Sequence, residues 1–314
     1  MPVIHVGAIG QSVWRSDDGG TTFRITTKGM WAECDIRGLT AHPGDSDVLY
    51  AGSNVGAFKS TDRGDSWEPC GTELSGREIW SAAVSGLDPN VVVAGTCPAG
   101  LYVSRDAGAS WTQGVGDPMA QDCFGGAMQT RLTSLLMHPT NADTMFAGVE
   151  ADGPRRSTDG GRTWQRIGLD DVDVHDIEMA PDGTLFLRSN FEVFRSDDEG
   201  DSWLPLNIEE HFDHTYCRGM GFSPTDPSVP YVGNGSGPPG HTGGVYRTRD
   251  RGDSWERAEL NARTNSCVWQ FASSGDWMLA STVLGQVYRS VDGGENWGKL
   301  AWEFGEIRGL VCVA

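Results

Sequence analysis

The chain has 314 residues, of which 38% are hydrophobic and 43 are glycine, and its formal net charge is -19. This composition is typical of a turn-rich globular protein, and no apolar run approaches the roughly 18 residues that a membrane-spanning helix needs. The acidic excess argues against nucleic acid or an anionic membrane as a partner, since both require basic patches.

The N-terminus enters a predicted strand at once, from Val3 to Gly7. It lacks the basic start and the long apolar core of a signal peptide, so we expect a cytoplasmic protein. Seven cysteines are scattered along the chain without a Cys-x-x-Cys pair. An odd number of this kind argues against a disulfide framework, and we expect free thiols.

One pattern, Ser/Thr-x-Asp-x-Gly-x-x-Trp/Phe, occurs seven times, and its central aspartates are 39 to 53 residues apart. That spacing is the length of one four-stranded propeller blade. The pattern predicts a hairpin turn in which Asp accepts hydrogen bonds from backbone amides and Gly takes a conformation closed to other residues. The copies run Ser16–Phe23, Ser60–Trp67, Ser104–Trp111, Ser157–Trp164, Ser196–Trp203, Thr248–Trp255 and Ser290–Trp297.

Each repeat also contains predicted strands upstream of its box, beginning with an inner strand from Ile36 to Ala41. The last inner strand, Glu306 to Val311, has no outer strands after it, whereas the N-terminus supplies outer strands and a box. We therefore predict an all-β chain that forms a single seven-bladed β-propeller over residues 1–314. Residues 303–314 should pair with residues 2–27 to close the ring, which leaves only short protected edges.

The seven copies resemble the Asp-box, or BNR, repeat of sialidases, xyloglucanases, sortilin-type receptors and a photosystem II assembly factor. The resemblance covers the whole chain and implies a seven-bladed propeller, but such propellers host many functions. The segment from Phe23 to Thr26 departs from the sialidase Phe-Arg-Ile-Pro motif because it follows a box and lacks the proline. The sialidase arginine is therefore not carried over.

Four histidines map to the end of the channel where the repeat loops are lengthened: His175, His211, His214 and His241. Neutral imidazoles are suitable ligands for zinc, iron or manganese, so the four could hold one divalent metal. His175 and His214, with Asp213 and Tyr216, could equally act as a catalytic acid–base set. The alternative is that these are surface histidines without a ligand.

Arginines recur near the same end of the channel. Arg37, Arg218 and Arg308 each precede a glycine at the same position of an inner strand, and Arg131 lies just ahead of another. Their guanidinium groups could clamp a carboxylate or phosphate. Alternatively, they form structural ion pairs with the neighbouring acids Asp35, Glu78, Asp176 and Glu306.

Trp80 and Trp269 fall near this rim, outside the boxes, and their faces suit a planar ligand or a sugar, unless they only pack between blades. These features favour an enzyme, a hydrolase or lyase, that acts on a small anionic or polar molecule at the loop end of the channel. One alternative is a non-catalytic scaffold for protein partners, which predicts an exposed apolar rim and no convergent pocket. The other is a carbohydrate-active or carbohydrate-binding protein.

Overall fold

A computed structural model describes residues 1–314 and contains seven blades, each with four antiparallel strands, one of which gains a short fifth strand. The predicted seven-bladed propeller is confirmed, and the innermost strands of the sheets surround a central channel. Closure at the termini is also confirmed, because the C-terminal strand pairs with the first strand from Val3 opposite Val313 onward. No helix in the chain has the length and apolar character that crossing a bilayer requires.

We number the blades so that the closing blade is blade 7 and give their strands from the channel outward. Blade 1 consists of Ile36–His42, Asp45–Ser53, Gly56–Ser60 and Glu68–Pro69; blade 2 of Glu78–Val84, Val92–Cys97, Leu101–Ser104 and Thr112–Gln113; blade 3 of Leu132–Met137, Met145–Val149, Gly153–Ser157 and Thr163–Arg166. Blade 4 consists of Val174–Met179, Leu185–Ser189, Val193–Ser196 and Leu204–Pro205; blade 5 of Tyr216–Phe222, Pro230–Gly235, Gly243–Arg247 and Glu256–Arg257. Blade 6 consists of Val268–Ser274, Trp277–Thr282, Val287–Ser290 and Gly298–Lys299; blade 7 of Ile307–Val313, Val3–Ala8, Ser12–Ser16 and Arg24–Thr26.

Shorter elements lie between the blades. The strand Val115–Gly116 adds in parallel to the outer edge of blade 3. The small hairpin Asp122–Cys123 and Met128–Gln129 stands in the lengthened segment before blade 3. The two helical turns are Phe124–Gly126 and Ile208–Glu210.

The first box shows how the repeated turn is held. The Asp18 carboxylate accepts the backbone N–H groups of Thr21 and Thr22 at 3.0 and 2.9 Å, and Ser16 Oγ accepts the N–H of Gly20 at 2.8 Å. Hydrogen bonds from the side chain and backbone of Thr22, and from Ser16, lower the pKa of Asp18 to about 2. The box aspartate therefore remains an ionised acceptor for turn amides, as the pattern predicted.

The aromatic residue that ends each box returns into the protein and packs between blades. Trp67 of the blade 1 box is 1% exposed and belongs to a core cluster that includes Ile36 of its own blade and Val3 and Val311 of blade 7. Neighbouring blades are thus held together by large side chains buried between them, as well as by the segments that connect them along the chain.

We expect Trp67→Ala to lower the free energy of unfolding by about 3–5 kcal/mol, because it removes a large buried side chain and leaves a cavity between two blades. Trp31→Ala is the matched control, since Trp31 is 74% exposed and its removal should cost less than about 0.5 kcal/mol. Denaturant unfolding followed by circular dichroism measures both. Equal losses for the two variants would contradict this view of the box tryptophan.

Candidate functional site

Each inner strand carries a β-bulge at the same position, near the end of the channel that we call the mouth. At a bulge one residue drops out of the regular pairing, and bulges are known to redirect side chains next to functional sites. From blade 7 to blade 6, the bulged residues are Arg308, Arg37, Trp80, Thr133, His175, Arg218 and Trp269. We call these seven residues the mouth ring.

The glycine that follows each ring arginine is explained by close approach of the next blade. A Cβ atom at Gly38 would lie 3.0 Å from the carbonyl oxygen of Trp80, and one at Gly219 would lie 2.7 Å from that of Trp269. A side chain at either position would push the neighbouring tryptophan outward. Because a glycine follows the arginine, the backbone of one blade can pack closely against the tryptophan of the next blade.

Trp80 lies between two arginines that come from the blades on either side of it. The guanidinium carbon of Arg37 lies 4.6 Å from the centre of the indole ring, and that of Arg131 lies 4.1 Å from it. These are cation–π contacts, which are favourable because the aromatic face carries negative charge density. Each guanidinium group lies over the indole ring and occupies surface on which a sugar or planar ligand would stack.

Trp269 repeats this arrangement on another side of the mouth. The guanidinium carbons of Arg218 and Arg308 lie 4.3 and 4.4 Å from its ring centre. Guanidinium groups thus lie over both Trp80 and Trp269, which the sequence analysis expected to offer their faces to a ligand. Both tryptophans act as spacers that separate and orient guanidinium groups.

Two ring arginines have the carboxylate partners that the structural alternative predicted. Arg37 lies 2.6 Å from Glu78 and 3.3 Å from Asp35, and Arg308 lies 2.5 Å from Glu306. Burial lowers the pKa of Arg308, Glu306 opposes this, and the charges of neighbouring arginines add to the lowering. Positive groups are therefore crowded at the mouth.

Arg131 and Arg218 differ in their pairing. Arg131 Nη2 lies 2.6 Å from Glu150 Oε1, and Glu150 is buried. Arg218 is 7% exposed, forms no ion pair within 4.0 Å, and its Nη1 has no hydrogen-bond partner. Asp176, an expected partner of the ring arginines, instead contacts the fully buried Arg188. Arg218 is thus the one mouth arginine with an uncommitted charge.

His175 is buried in the mouth ring, and each of its nitrogens faces an acceptor oxygen. Nδ1 lies 2.5 Å from the carbonyl oxygen of Cys217, so it must carry a hydrogen, and Nε2 lies 3.3 Å from Asp173 Oδ2. Burial lowers the pKa of His175 to about 4, with a further contribution from the charge of Arg218. The Tyr216 ring packs against the imidazole with its centre 4.8 Å away.

The other three histidines do not join His175. His211 and His241 are exposed, and His241 contacts only Ser236 Oγ, at 3.3 Å, while His214 is half-buried. No group of three or more His, Cys, Asp or Glu side chains in the chain is arranged to hold a metal ion. The four histidines are therefore not brought together as the predicted metal site requires.

Asp213 also lies away from the mouth. Its carboxylate accepts hydrogen bonds from Asn234 at 3.1 Å and from the Tyr246 hydroxyl at 2.9 Å, and it pairs with Arg257 at 3.0 Å. Arg257 belongs to the outermost strand of blade 5. Asp213 therefore holds together the outer part of that blade, and the proposed catalytic pairing of Asp213 with His214 and His175 is corrected.

Two acids that the sequence did not single out lie at the mouth. Glu150 follows the second strand of blade 3, and Asp173 stands two residues before His175. Burial raises the pKa of Glu150 against the opposing charges of Arg131 and Arg218. Burial also opposes ionisation of Asp173, but the hydrogen bond and charge of His175 outweigh it and lower its pKa.

The mouth ring opens into a cavity of about 580 Å³ that follows the channel. Its walls are mixed in character: Leu39, Leu135 and Phe271 lie beside polar residues such as Ser134 and Gln270. Asp176 and Glu178 are acidic residues of the same wall. Burial, together with the charge of Asp176, raises the pKa of Glu178.

The pKa of His175 predicts a pH dependence of stability. The unfolded chain takes up a proton on this histidine near pH 6.5, whereas the folded chain does so near pH 4, so stability is lost as the pH falls through this window. We expect the free energy of unfolding of wild type to fall by about 2 kcal/mol more than that of His175→Asn between pH 7 and 5. Urea unfolding at both pH values measures the difference, with exposed His241→Asn as control. Parallel pH profiles for wild type and His175→Asn would contradict the prediction.

Several known proteins are similar to this chain in sequence. Residues 154–284 match the family model described as sortilin, neurotensin receptor 3. A xyloglucanase of Hypocrea jecorina is 31% identical over 154 residues, which are 48% of this chain and 17% of that protein. An oligoxyloglucan-reducing end-specific xyloglucanase of Emericella nidulans is 25% identical over 236 residues, 70% of this chain and 23% of that protein. The chain thus spans about a fifth of the length of the curated relatives it matches.

Solved structures show the same fold at low sequence identity. The GH74 xyloglucanase from Xanthomonas campestris superposes with a TM-score of 0.76 at 16% identity, covering 94% of this chain and 52% of that one. YCF48 bound to D1 peptide gives a TM-score of 0.60 at 18% identity, covering 85% and 82%. These findings fit the resemblance carried by the seven boxes: the chain is a seven-bladed β-propeller, similar in part of its sequence to the sortilin family model and to xyloglucanases, and similar in fold to YCF48.

Proposed function

We propose that the chain is a hydrolase that holds a small molecule by a carboxylate or phosphate group at the mouth ring. The observation that carries this proposal is Arg218, a buried guanidinium without an ion-pair partner and with an unpartnered Nη1. A buried charge without a partner is costly, and it becomes favourable when a ligand supplies the opposite charge. Guanidinium groups suit carboxylate and phosphate oxygens in particular.

The hydrolase class is supported by the nature of the curated relatives, which are xyloglucanases. Within the site, Glu150 is the strongest candidate for proton transfer, because burial raises its pKa and perturbed carboxyls are typical of general acids. His175 would hold the backbone at Cys217, because its Nδ1 hydrogen is donated to that carbonyl oxygen. Tyr216, packed on His175, would border the bound ligand.

We expect Arg218→Gln to weaken binding of carboxylates or phosphates at least tenfold, because the uncommitted positive charge is lost. A panel of small mono- and dicarboxylates and phosphate esters, screened by thermal shift and measured by calorimetry, provides the ligands. Arg162→Gln is the matched control, as Arg162 is exposed on the turn of a box. Undiminished binding by Arg218→Gln would remove the basis of the proposal.

A carbohydrate-active hydrolase is the second candidate, and the xyloglucanase relatives favour it. Because the faces of Trp80 and Trp269 are covered by guanidinium groups, a sugar at the mouth would be held by hydrogen bonds and not by stacking on them. Incubation with xyloglucan separates the two candidates. Reducing ends released by wild type, but much more slowly by Glu150→Gln, would favour the carbohydrate candidate, and no release would favour a small acid.

A further inference from the structure

A basic residue just before the Ser or Thr of the box joins most blades to the next one. In six of the seven blades this residue reaches the box of the following blade. Lys59 and Arg289 donate to the carbonyl oxygens of Ala107 and Gly19, at 3.2 and 2.6 Å. At the other four boundaries, the basic residue pairs with an acid that follows the box glycine, at 2.7 to 3.3 Å. These pairs are Arg15–Asp65, Arg156–Asp201, Arg195–Asp253 and Arg247–Glu295.

The boundary between blades 2 and 3 departs from this pattern on both sides. Val103 stands where the basic residue is expected, and Arg162 stands where the acid is expected. Arg162 Nη1 donates to the carbonyl oxygen of Asp159 at 2.9 Å, and Arg105 Nη2 donates to that of Gly160 at 2.5 Å. Neither arginine has a carboxylate oxygen within 4.0 Å. Two guanidinium groups without an acid are therefore bound to consecutive carbonyl oxygens of one turn.

Backbone pairing joins these two blades in place of the ion pair. The strand Val115–Gly116 pairs in parallel with Thr163–Trp164 of blade 3. The N–H of Val115 also donates to the carbonyl oxygen of Arg162 at 3.0 Å, and Asp117 accepts the N–H of Arg166 at 2.9 Å. The side chains of Arg105 and Arg162 are thus not needed to hold the boundary together, and a departure of this kind from a repeated pattern is typical of a functional site.

A cleft of about 580 Å³ lies at this boundary, and we call it the blade 2–3 cleft. Its volume is within the range of small-molecule sites. Arg105 and Arg162 line it and are exposed, so the N–H groups that they do not use in the turn are accessible to a ligand. The boxes join the third and fourth strands of each blade, whereas the mouth lies where the inner strands begin. The cleft is therefore at the other end of the blades and is separate from the mouth.

The charges of the cleft favour an anion. Its lining contains two guanidinium groups and one carboxylate, that of Asp106. Hydrogen bonds, foremost from the side chain of Ser110, lower the pKa of Asp106 to about 2. Asp143 lies near the turn but forms no ion pair with either arginine. The net charge of the lining is therefore positive, and the planar guanidinium group is well suited to phosphate and similar oxyanions.

We propose that the blade 2–3 cleft is a second ligand site, which binds a sugar that carries a phosphate or sulfate ester. The oxygens of the ester accept N–H groups of Arg105 and Arg162. The side chains of Thr112 and Gln113 also line the cleft and form no hydrogen bonds within the protein, so they can bind the sugar hydroxyls. This inference does not depend on the proposed function of the mouth.

Calorimetry at pH 7.5 on the full chain tests the proposal with glucose 6-phosphate, glucose 6-sulfate, glucose and inorganic phosphate. At least one of the two esters should bind at least tenfold more tightly than glucose or inorganic phosphate, and the tighter one identifies the preferred group. Arg105→Gln and Arg162→Gln should each weaken this binding at least tenfold. Arg249→Gln is the matched control, because Arg249 holds the position of Arg105 in the blade 5 box but pairs with Glu295 at 2.7 Å.

A double variant, Val103→Arg with Arg162→Asp, restores the ordinary pair of the other boundaries. It should abolish ester binding without lowering the free energy of unfolding. If urea unfolding shows that this variant is not folded, the two single arginine variants decide, since both replace exposed side chains.

The mouth and the cleft are distinguished by their opposite responses to two variants. Carboxylates held at the mouth should be lost in Arg218→Gln and kept in Arg162→Gln, whereas an ester in the cleft should show the reverse. Ester binding that is lost only in Arg218→Gln would overturn the cleft site and leave the proposed function intact. No binding of either ester at millimolar concentration, or equal binding by wild type and Arg162→Gln, would also overturn it.

Discussion

Pairing of the C-terminal strand with the N-terminal strand is the constraint on which the rest of the site depends. Blade 7 takes its inner strand, Ile307–Val313, from one end of the chain and its other three strands from the other end. Arg308 enters the mouth ring only when this pairing and its bulge are formed. Without it, Trp269 would lose one of its two guanidinium groups, and the first strand would expose an unpaired inner edge. The same strand pairing therefore closes the propeller and places Arg308 at the mouth.

The mouth ring solves the problem of placing four positive groups around one opening. Like charges repel strongly in a partly buried site, and each tryptophan reduces this by standing between two guanidinium groups that it also attracts. Carboxylates then neutralise three of the four arginines, and Arg218 remains. The indole rings line the opening. The N–H groups at the edges of the guanidinium planes point away from these rings and are the groups that would bind a ligand. Guanidinium groups therefore occupy tryptophan surfaces on which a sugar would stack.

The fold could be predicted from the sequence because an Asp-box is a local signal: Asp18 accepts hydrogen bonds from amides of its own turn, and Gly20 donates its N–H to Ser16 in the same turn. The position of the ring arginines was also predictable, since an Arg-Gly pair at a fixed place in an inner strand is repeated. The histidine cluster was not, because the direction of His211 and His241 depends on irregular loops without a repeated pattern. Glu150 and Asp173 were missed because single acids do not stand out among 43 acidic residues.

Unpartnered buried polar atoms occur elsewhere in the propeller, and their distribution distinguishes the mouth. The indole N–H groups of Trp67, Trp203 and Trp255 lack partners, but each belongs to the box of a different blade and lies among core side chains. At the mouth, the residue with an unpartnered atom is the charged Arg218, and it also lines the cavity. A buried charge without a partner costs free energy, and functional sites commonly keep such costs because the function needs them. An unpaired Arg218 beside an open cavity is what the proposed binding of an anionic group requires.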